Sequence, residues 1–415
     1  MKVPFTQQFV FVLLTLLGSQ PLLAQVNLPR VAVLPAEPLR VPGGRFPEAG
    51  IEDGIDCNSP LHWDADGNLF LFASVQHPFR SQGISLLGMI EKNELPLSAT
   101  IHSDFDLPGG MWLEATYRAD DGTLYGWYHN EIGAGCGNEF LTVPRIGALV
   151  SYDEGASWED LGIVMQAPDE SINCGTENFF FAGGNGDFTV LLDRNKEYFY
   201  FFFGSYDSQF AEQGICLGRM RYEDRNAPVG NVWKWRDGAW DEPGLNGRGT
   251  PLLPVKNNWH SAEPDAYWGP SVHYNSYLEQ YVMLLNHAVD TRWGQEGVYI
   301  SYNRDLADPN GWSTPERLPF EPEGRAYPQV IGLDDGETDK LAGRSPRLFV
   351  QGDSLWQLDF KHPGEPDSPA PLREPSETRV MPERFQQFRP NAAELPNVVR
   401  SSAQPVRLRG RRGRF

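Results

Sequence analysis

The sequence predicts an all-β protein, a five-bladed β-propeller with a disordered C-terminal tail. Three observations favour this fold: a strand–turn–strand unit recurs five times, helical periodicity is scarce, and turn residues abound, with 42 Gly and 34 Pro among 415 residues. Aromatic residues make up 12% of the chain and charged residues 22%. This composition excludes a coiled coil, a disordered acidic chain and a multi-pass membrane protein.

The N-terminus has the pattern of a targeting segment. Within residues 1–24, Lys2 precedes an apolar stretch from Phe9 to Leu17, and the segment ends at Ala24. This order is typical of a secretory signal peptide, so we expect cleavage after Ala24 and a secreted or periplasmic protein. The apolar run is shorter than the roughly 20 residues that a membrane anchor needs. Gln25 follows rather than Cys, which argues against a lipid anchor at that site.

The repeated unit is an apolar strand, a polar turn and an aromatic-rich strand. It occurs at 59–74, 111–130, 187–205, 268–286 and, more weakly, at 327–333 with 345–360. A third strand is predicted after four of these pairs, at 81–89, 145–153, 212–220 and 295–303. Long periods with three or four strands each are typical of propeller blades. The strands are near-continuous apolar runs, as expected where both faces of a blade pack against neighbours.

The domain prediction follows from these repeats. We expect the propeller to occupy residues 25–361, with the early strand 31–35 pairing with the last blade so that the ring has no open edge. Residues 362–415 are Pro-rich and then Arg-rich, which predicts a disordered tail. An electrostatic contact of this tail with an anionic glycan or a cell surface is the functional alternative.

Charge restricts the partners. Lys and Arg number 35 against 55 Asp and Glu, a formal net charge of −20. Such a chain repels nucleic acid and anionic lipid, so neither is an expected partner. The chain has no phosphate-loop pattern, no nucleophile elbow and no HExxH zinc motif. The turn-rich, aromatic composition is common among sugar-handling proteins, so we expect a carbohydrate substrate or ligand; the oligomeric state is not predicted.

The four cysteines of the chain are Cys57, Cys136, Cys174 and Cys216. Export would expose them to an oxidising compartment, and four cysteines allow three pairings among which the sequence does not choose. Cys216 lies in an apolar strand, where a buried free thiol is equally compatible. The spacings resemble no zinc site, and no metal ligands are predicted.

The segment SYDEGASW (151–158) matches the Asp-box pattern, Ser-x-Asp-x-Gly-x-Ser/Thr-Trp. Asp153 can accept hydrogen bonds from backbone N–H groups of the turn, Gly155 permits a positive φ, and Trp158 can pack between strands. We assign this motif a structural role in a hairpin and no part in catalysis.

With this motif and the blade pattern, the chain resembles the five-bladed β-propeller glycoside hydrolases of the arabinanase and β-xylosidase type, and more remotely sialidase-type propellers. The resemblance implies hydrolysis of O-glycosyl bonds by a general-base Asp in the first blade, a second Asp that tunes pKa values and holds the sugar, and a general-acid Glu in Glu-Gly-Pro. Asp56 and Asp187 match the two Asp positions. Trp268-Gly269-Pro270 stands where the Glu is expected. A non-catalytic glycan-binding propeller is therefore the alternative, and a lyase or a protein-interaction propeller is a third.

Propeller geometry predicts where the remaining site residues lie. The start of the first strand and the end of the second strand of each pair should meet at one end of the ring. Glu114 or Glu263 would replace the missing general acid there. Glycoside hydrolysis with inversion needs two carboxyl groups roughly 6.5–9.5 Å apart. Crowded carboxylates raise each other's pKa, which could produce the acid. The predicted substrate-binding residues are Asn58, Trp112, His129, Asp265, Trp268, His287, Arg325 and Tyr327.

The alternative role for these carboxylates is structural. They could cap the ends of inner strands or bind a structural Ca²⁺ ion, which prefers oxygen ligands. Apart from that ion, no cofactor is predicted.

Overall fold

The computed structural model describes residues 28–42, 55–76, 78–92, 97–102, 109–322 and 325–366. The predicted signal peptide and the predicted tail beyond residue 366 lie outside these ranges. Within them the chain forms five β-sheets, one short α-helix and three short 3₁₀ helices, at Asp169–Ser171, Phe210–Glu212 and Tyr222–Asn226. The protein is a five-bladed β-propeller, as predicted.

The strands are numbered in chain order, and β1 is Arg30–Arg40. The first blade contains β2 (Leu61–Trp63), β3 (Leu69–Ala73), β4 (Phe79–Gly83), the helix α1 (Leu86–Lys92) and β5 (Leu97–Ser98). The second contains β6 (Thr100–His102), β7 (Met111–Arg118), β8 (Leu124–Gly133), β9 (Thr142–Ser151) and β10 (Ser157–Met165). The third contains β11 (Asn185–Leu192), β12 (Tyr198–Ser205), β13 (Gly214–Arg221), β14 (Val232–Arg236), β15 (Ala239–Pro243) and β16 (Leu253–Pro254).

The fourth blade contains β17 (Ala266–Asn275), β18 (Gln280–Ala288), β19 (Gln295–Asn303) and β20 (Glu316–Arg317). The fifth contains β21 (Pro328–Ile331), β23 (Arg347–Val350) and β24 (Asp353–Lys361), while β22 (Leu341–Ala342) joins the fourth sheet beside β17. All described pairs are antiparallel except those of β6 with β10 and β22 with β17. The innermost strands are β2, β7, β11, β17 and β21.

The ring closes through β1. This strand pairs antiparallel with β24, so that Arg30 lies opposite Lys361 and Val31 opposite Phe360. The fifth blade therefore contains strands from both ends of the described chain, as the sequence predicts. Pairing the first strand with the last removes the exposed edge that an open array would leave.

Five apolar clusters lie between consecutive blades and show that the sheets form a ring. Each cluster combines buried side chains from two neighbouring sheets, and the last joins the fifth blade to the first through Phe349 and Leu61. Between the first two blades, the rings of Phe72 and Trp158 meet edge-on at 5.6 Å. Continuous apolar strands occur here because both faces of each sheet are covered.

The first blade departs from the prediction. The expected third strand at 81–89 ends at Gly83, where α1 follows after a short turn. The hydroxyl of Ser85 accepts a hydrogen bond from the N–H of Gly88 at 3.0 Å, as an N-cap residue does. The apolar residues after Ser85 therefore pack as a helix rather than extending the strand. The third strands of the next three blades are confirmed.

The segment 151–158 forms the turn between β9 and β10. Asp153 Oδ1 accepts a hydrogen bond from the N–H of Ser157 at 2.9 Å, and Gly155 has a φ of +78°. Trp158 is buried. The segment is therefore a hairpin turn, and its Trp158 ring packs between the first and second blades.

One disulfide bond joins Cys136 to Cys174. Cys57 and Cys216 are buried free thiols. The structure thus selects among the pairings that the sequence left open. Among the described residues, no helix has the length and apolar character needed to cross a membrane, and α1 has seven residues.

Candidate functional site at one end of the propeller

The inner strands are irregular at one end of the ring. The pairing of β7 with β8 shifts between Leu113 and Ala115, which leaves Glu114 in a bulge. The pairing of β11 with β12 shifts in the same way around Asp187, whose φ is +44°. In β17 the shift falls between Trp268 and Ser271. Bulges redirect side chains and are frequent beside active sites, so these irregularities bring Glu114 and Asp187 together.

Four side chains from three blades meet there and form what we call the buried cluster. They are Cys57, just before the first blade, Glu114 on β7, His129 near the end of β8, and Asp187 on β11. One sulfur, nitrogen or oxygen atom from each lies within 4.8 Å of those of the others. None of the four residues exposes more than 4% of its surface. The sequence prediction that Glu114, His129 and Asp187 converge is consistent with this placement.

The His129 ring lies between two carboxylates. Its Nδ1 is 3.2 Å from Glu114 Oε1 and its Nε2 is 3.3 Å from Glu131 Oε1. The backbone N–H of Asp187 donates to the same Nδ1 at 3.1 Å. The other oxygen of Glu114, Oε2, accepts a hydrogen bond from the N–H of Phe188 at 2.9 Å. The cluster is therefore linked through side chains and backbone across the second and third blades.

Two tyrosines hold the carboxylate of Asp187. The hydroxyl of Tyr206 donates to Oδ2 at 2.5 Å, and the hydroxyl of Tyr327 donates to Oδ1 at 3.2 Å. Tyr327 has a φ of +56°, and its N–H donates to Asn286 Oδ1 at 2.8 Å. Both oxygens of Asp187 are thus engaged by residues from the third and fifth blades.

Burial dominates the electrostatics of the cluster. It raises the pKa of Asp187 to about 7; His129 opposes this rise and Glu114 adds to it. Burial also raises the pKa of the Cys57 thiol, and Glu114 adds to that rise. For His129 burial acts against the charged form, but the neighbouring carboxylates of Glu114, Glu131 and Asp187 raise its pKa well above the ordinary value. The imidazole of His129 therefore faces three carboxylates, those of Glu114, Glu131 and Asp187.

Four less buried residues adjoin the cluster, and we call this set the opening: Asp56, Trp112, Glu131 and Tyr327. Asp56 is exposed, and the other three are half-buried. Burial, then Asp187, then Asp56 raise the pKa of Tyr327. The Trp112 ring stands edge-on to His129 at 5.6 Å between ring centres.

Two predicted carboxylates lie elsewhere. Glu263 is exposed in the loop before β17, where its carbonyl accepts a hydrogen bond from Asn257. None of the described contacts joins it to Glu114 or Asp187, so its predicted role as the replacement acid gains no support. Asp265 Oδ1 lies 2.8 Å from His287 Nε2, and Glu296 Oε1 lies 2.9 Å from His287 Nδ1. Because carboxylates occupy both nitrogens of His287, the role predicted for it in binding sugar hydroxyls is not supported.

Three further predicted binding residues are engaged in the scaffold. Trp268 is only 3% exposed and lies 4.5 Å from Trp293 between ring centres, so it offers little surface for a sugar. Asn58 is buried, and its Nδ2 donates to the carbonyls of Phe188 and Pro270. Arg325 Nη1 contacts Asp353 Oδ2 at 3.3 Å. The contacts of Asn58 join different blades, whereas those of Trp268 and Arg325 lie within the fourth and the fifth blade.

Cys57 was not expected in the site. Its sequence context offers no metal or redox motif, although both of its neighbours, Asp56 and Asn58, were assigned roles. The thiol joins Glu114 and Asp187 because the chain before β2 runs into the ring beside the bulges of β7 and β11. The one sequence signal was the position of Cys57 next to a predicted catalytic residue.

The chemistry open to the two buried carboxylates is limited by their separation. One oxygen of Glu114 and one of Asp187 lie within 4.8 Å of each other. This is closer than the roughly 6.5–9.5 Å of inverting glycosidases. The pair also has almost no exposed surface, so it behaves as one anionic centre rather than as two walls of a sugar site.

No protein-family model matches the chain, and no curated protein matches its sequence. Among solved structures, it is similar to an exo-β-1,3-galactanase from Phanerochaete chrysosporium, with 8% identity, a TM-score of 0.43 and coverage of 78% of this chain and 63% of that one. It is also similar to an α-L-arabinofuranosidase from Lactobacillus brevis, with 15% identity, a TM-score of 0.45 and coverage of 76% and 95%. An endo-arabinase from Bacteroides thetaiotaomicron has 12% identity, a TM-score of 0.44 and coverage of 79% and 98%.

The chain thus spans less than two thirds of the length of the galactanase and nearly the whole of the two arabinan-related structures. By the order of its own sheets it is a five-bladed β-propeller, and these glycoside hydrolases are among the solved structures that it resembles.

Proposed function

We propose that this protein is a secreted carbohydrate-binding propeller that holds a glycan at the opening. One observation carries the proposal: two half-buried aromatic rings adjoin the buried cluster, Trp112 against His129 and Tyr327 against Asp187, and the exposed Asp56 directly precedes Cys57. Aromatic faces and a few fixed polar groups are what a sugar-binding site requires. The signal-peptide pattern of residues 1–24 supports export to a compartment where glycans occur.

The buried cluster supports binding over acid–base hydrolysis. Asp187 accepts hydrogen bonds from two phenols, and Glu114 accepts one from a backbone N–H. A general acid must reach the glycosidic oxygen within hydrogen-bond distance, and Glu114 and Asp187 are each only 1% exposed. The fourth blade supplies Gly269 and Pro270 at its bulge instead of a carboxylate.

Glycoside hydrolysis is the second candidate, and the exposure of Asp56 favours it. Asp56 is an exposed carboxylate directly before Cys57 of the buried cluster. In that case Asp56 and Glu131 are the two carboxyls at the opening, with Asp56 as general base. Asp187 then orients Tyr327 rather than touching the sugar.

One experiment separates the two. The full mature chain is tested against a panel of plant, algal and microbial glycans for binding and for release of reducing sugar. We expect binding without release, and binding weakened at least about tenfold by Trp112→Ala, since truncation of an aromatic anchor commonly costs more than 1.4 kcal/mol. Trp233→Ala is the matched control, because Trp233 is 42% exposed on the third blade, away from the opening.

The outcomes are distinct. Sugar release that disappears in Asp56→Asn would establish the hydrolase instead. The proposal is wrong if Trp112→Ala and Trp233→Ala weaken glycan binding equally, or if the protein binds no glycan of the panel.

A further inference from the structure

From the geometry of the buried cluster we infer that Cys57, Glu114, His129 and Asp187 bind one divalent transition-metal ion, with Zn²⁺ as the ion that the ligand set fits best. This inference goes beyond glycan binding and does not depend on it. A bound ion would join the start of the first blade to the second and third blades directly beneath the opening.

The ligand atoms already lie close enough together. Atoms from all four side chains are within 4.8 Å of one another. Around a tetrahedral zinc ion with bonds of about 2.0–2.3 Å, neighbouring ligand atoms are ~3.5 Å apart. The side chains therefore need only small inward movements. The ligands come from separate segments of the chain, which explains why the cysteine spacings gave no zinc pattern.

The charge of the cluster calls for a cation. Cys57, Glu114 and Asp187 are acidic groups, and His129 supplies at most one positive charge. Within the described part of the chain, no Lys or Arg forms an ion pair with Glu114 or Asp187. Buried charges are costly unless they are paired or bound to a metal. A dication would balance the carboxylates and allow the thiol to bind as thiolate.

One buried atom points into the cluster without a hydrogen bond. Glu114 Oε1 is buried and has no hydrogen-bond partner, although it lies 3.2 Å from Nδ1 of His129. Nδ1 of His129 accepts the N–H of Asp187, and its contact with Oε1 is not a hydrogen bond. Oε1 is therefore left without a donor in a buried space. A metal ion among these atoms relieves this mismatch.

Outer contacts orient the ligands as they do in metal sites. Nε2 of His129 faces Glu131, the carboxylate–histidine arrangement that fixes a ligating imidazole. The oxygens of Asp187 and Oε2 of Glu114 each have a hydrogen-bond donor. A ligand shell fixed in this way favours a defined coordination geometry.

The identity of the donors selects the ion. Thiolate and imidazole favour zinc and related transition metals, whereas Ca²⁺ prefers six to eight oxygen ligands. Four protein ligands fill a tetrahedral zinc site and leave no position for a reacting water. We therefore assign the ion a structural role, and the Ca²⁺ site that the sequence left as an alternative does not fit these residues.

The test uses the full mature chain, stripped of metal with a chelator and titrated with Zn²⁺ against a chromophoric competitor. We expect one zinc per chain and a midpoint of thermal unfolding that rises on zinc addition. Cys57→Ser and Glu114→Gln should each weaken zinc binding by at least about 100-fold, since each removes a ligand. Cys216→Ser is the matched control: it also removes a buried free thiol, but on β13 outside the cluster, and should bind zinc like the unaltered chain.

A second measurement covers variants that fold poorly. Cobalt substitution of the unaltered chain and of Cys216→Ser should give a thiolate-to-cobalt charge-transfer band that Cys57→Ser lacks. The inference is overturned if the unaltered chain binds no zinc, if it shows no thiolate band with cobalt, or if Cys57→Ser and Glu114→Gln bind zinc as tightly as Cys216→Ser does. These readouts need no glycan, so their failure leaves the proposed function intact.

Discussion

Replacing Glu154 with Gln should weaken the contact between the first two blades in a pH-dependent way. Glu154 lies in the turn between β9 and β10, and its Oε1 accepts hydrogen bonds from Nε and Nη2 of Arg118 at 2.9 and 2.8 Å. Its Oε2 lies 3.0 Å from His62 Nε2 on β2 of the first blade. Partial burial acts against the charged form, but the hydrogen bonds with His62 and Arg118 lower the pKa of Glu154 to about 2.

The magnitude follows from that pKa. The fall from the ordinary value of 4.5 to about 2 corresponds to roughly 3 kcal/mol at about 1.4 kcal/mol per pH unit. Since the Glu154 side chain keeps 23% of its surface exposed, solvent screening reduces this to about 1–2 kcal/mol. For a domain of this size we expect the midpoint of thermal unfolding to fall by about 2–6 °C in Glu154→Gln at pH 7.

The sign of the pH dependence is fixed by the direction of the pKa change. A carboxylate with a lowered pKa in the folded state contributes its full stability above the unfolded pKa of 4.5. That contribution is lost as the pH falls through 4.5 towards 2. The difference between the unaltered chain and Glu154→Gln should therefore be constant from pH 6 to 8 and shrink to roughly two fifths by pH 3.

Thermal unfolding of both proteins from pH 3 to 8 measures this difference. Glu159→Gln on the adjacent strand β10 is the control, because Glu159 is exposed and makes the same change of charge. If Glu154→Gln and Glu159→Gln lower the midpoint equally, or if the loss for Glu154→Gln is the same at pH 3 and pH 7, the blade contact does not act through this carboxylate.

Three further stability predictions concern other contacts and are read by denaturant unfolding. Cys136→Ser combined with Cys174→Ser opens a loop closed across 38 residues and should lower the free energy of unfolding by about 2–4 kcal/mol; a change under about 1 kcal/mol would contradict this. Trp158→Ala removes a buried ring packed against Phe72 and should cost about 3–5 kcal/mol, whereas a small loss would mean that the two blades repack. Asn58→Ala leaves two buried carbonyls without their donor and should cost about 1–3 kcal/mol; unchanged stability would show that its bridges to the third and fourth blades contribute nothing.

The opening and the buried cluster beneath it have different properties. Asp56 reaches solvent, whereas Glu114 and Asp187 lie on bulged inner strands and are only 1% exposed. Side chains at the opening can meet a large ligand such as a glycan. The buried groups can accommodate only a small one, such as an ion. This difference in access is why we assign the two sets of residues separate roles.

Local sequence patterns predicted the strands well because their causes are local. The hairpin of β11 and β12 follows from two apolar runs around a polar turn at residues 193–197, and the turn at 151–158 follows from Asp153 and Gly155. The sequence also predicted that strand starts and strand ends meet at one end of the ring, since this is a property of any propeller. The prediction was wrong at 84–89, where the strand has ended at Gly83 and Ser85 caps a helix.

The sequence by itself determined the β class, the five repeated units and the presence of Asp56, Glu114, His129 and Asp187 near one end of them, because hydrophobic pattern and turn chemistry act over a few residues. Only the tertiary structure decided that Cys57 joins that group, that Cys136 pairs with Cys174, and that Trp268 and His287 are engaged by neighbouring side chains. These contacts join segments tens to hundreds of residues apart. Their existence depends on how the bulged strands of different blades come to lie around one axis, which no short stretch of sequence encodes.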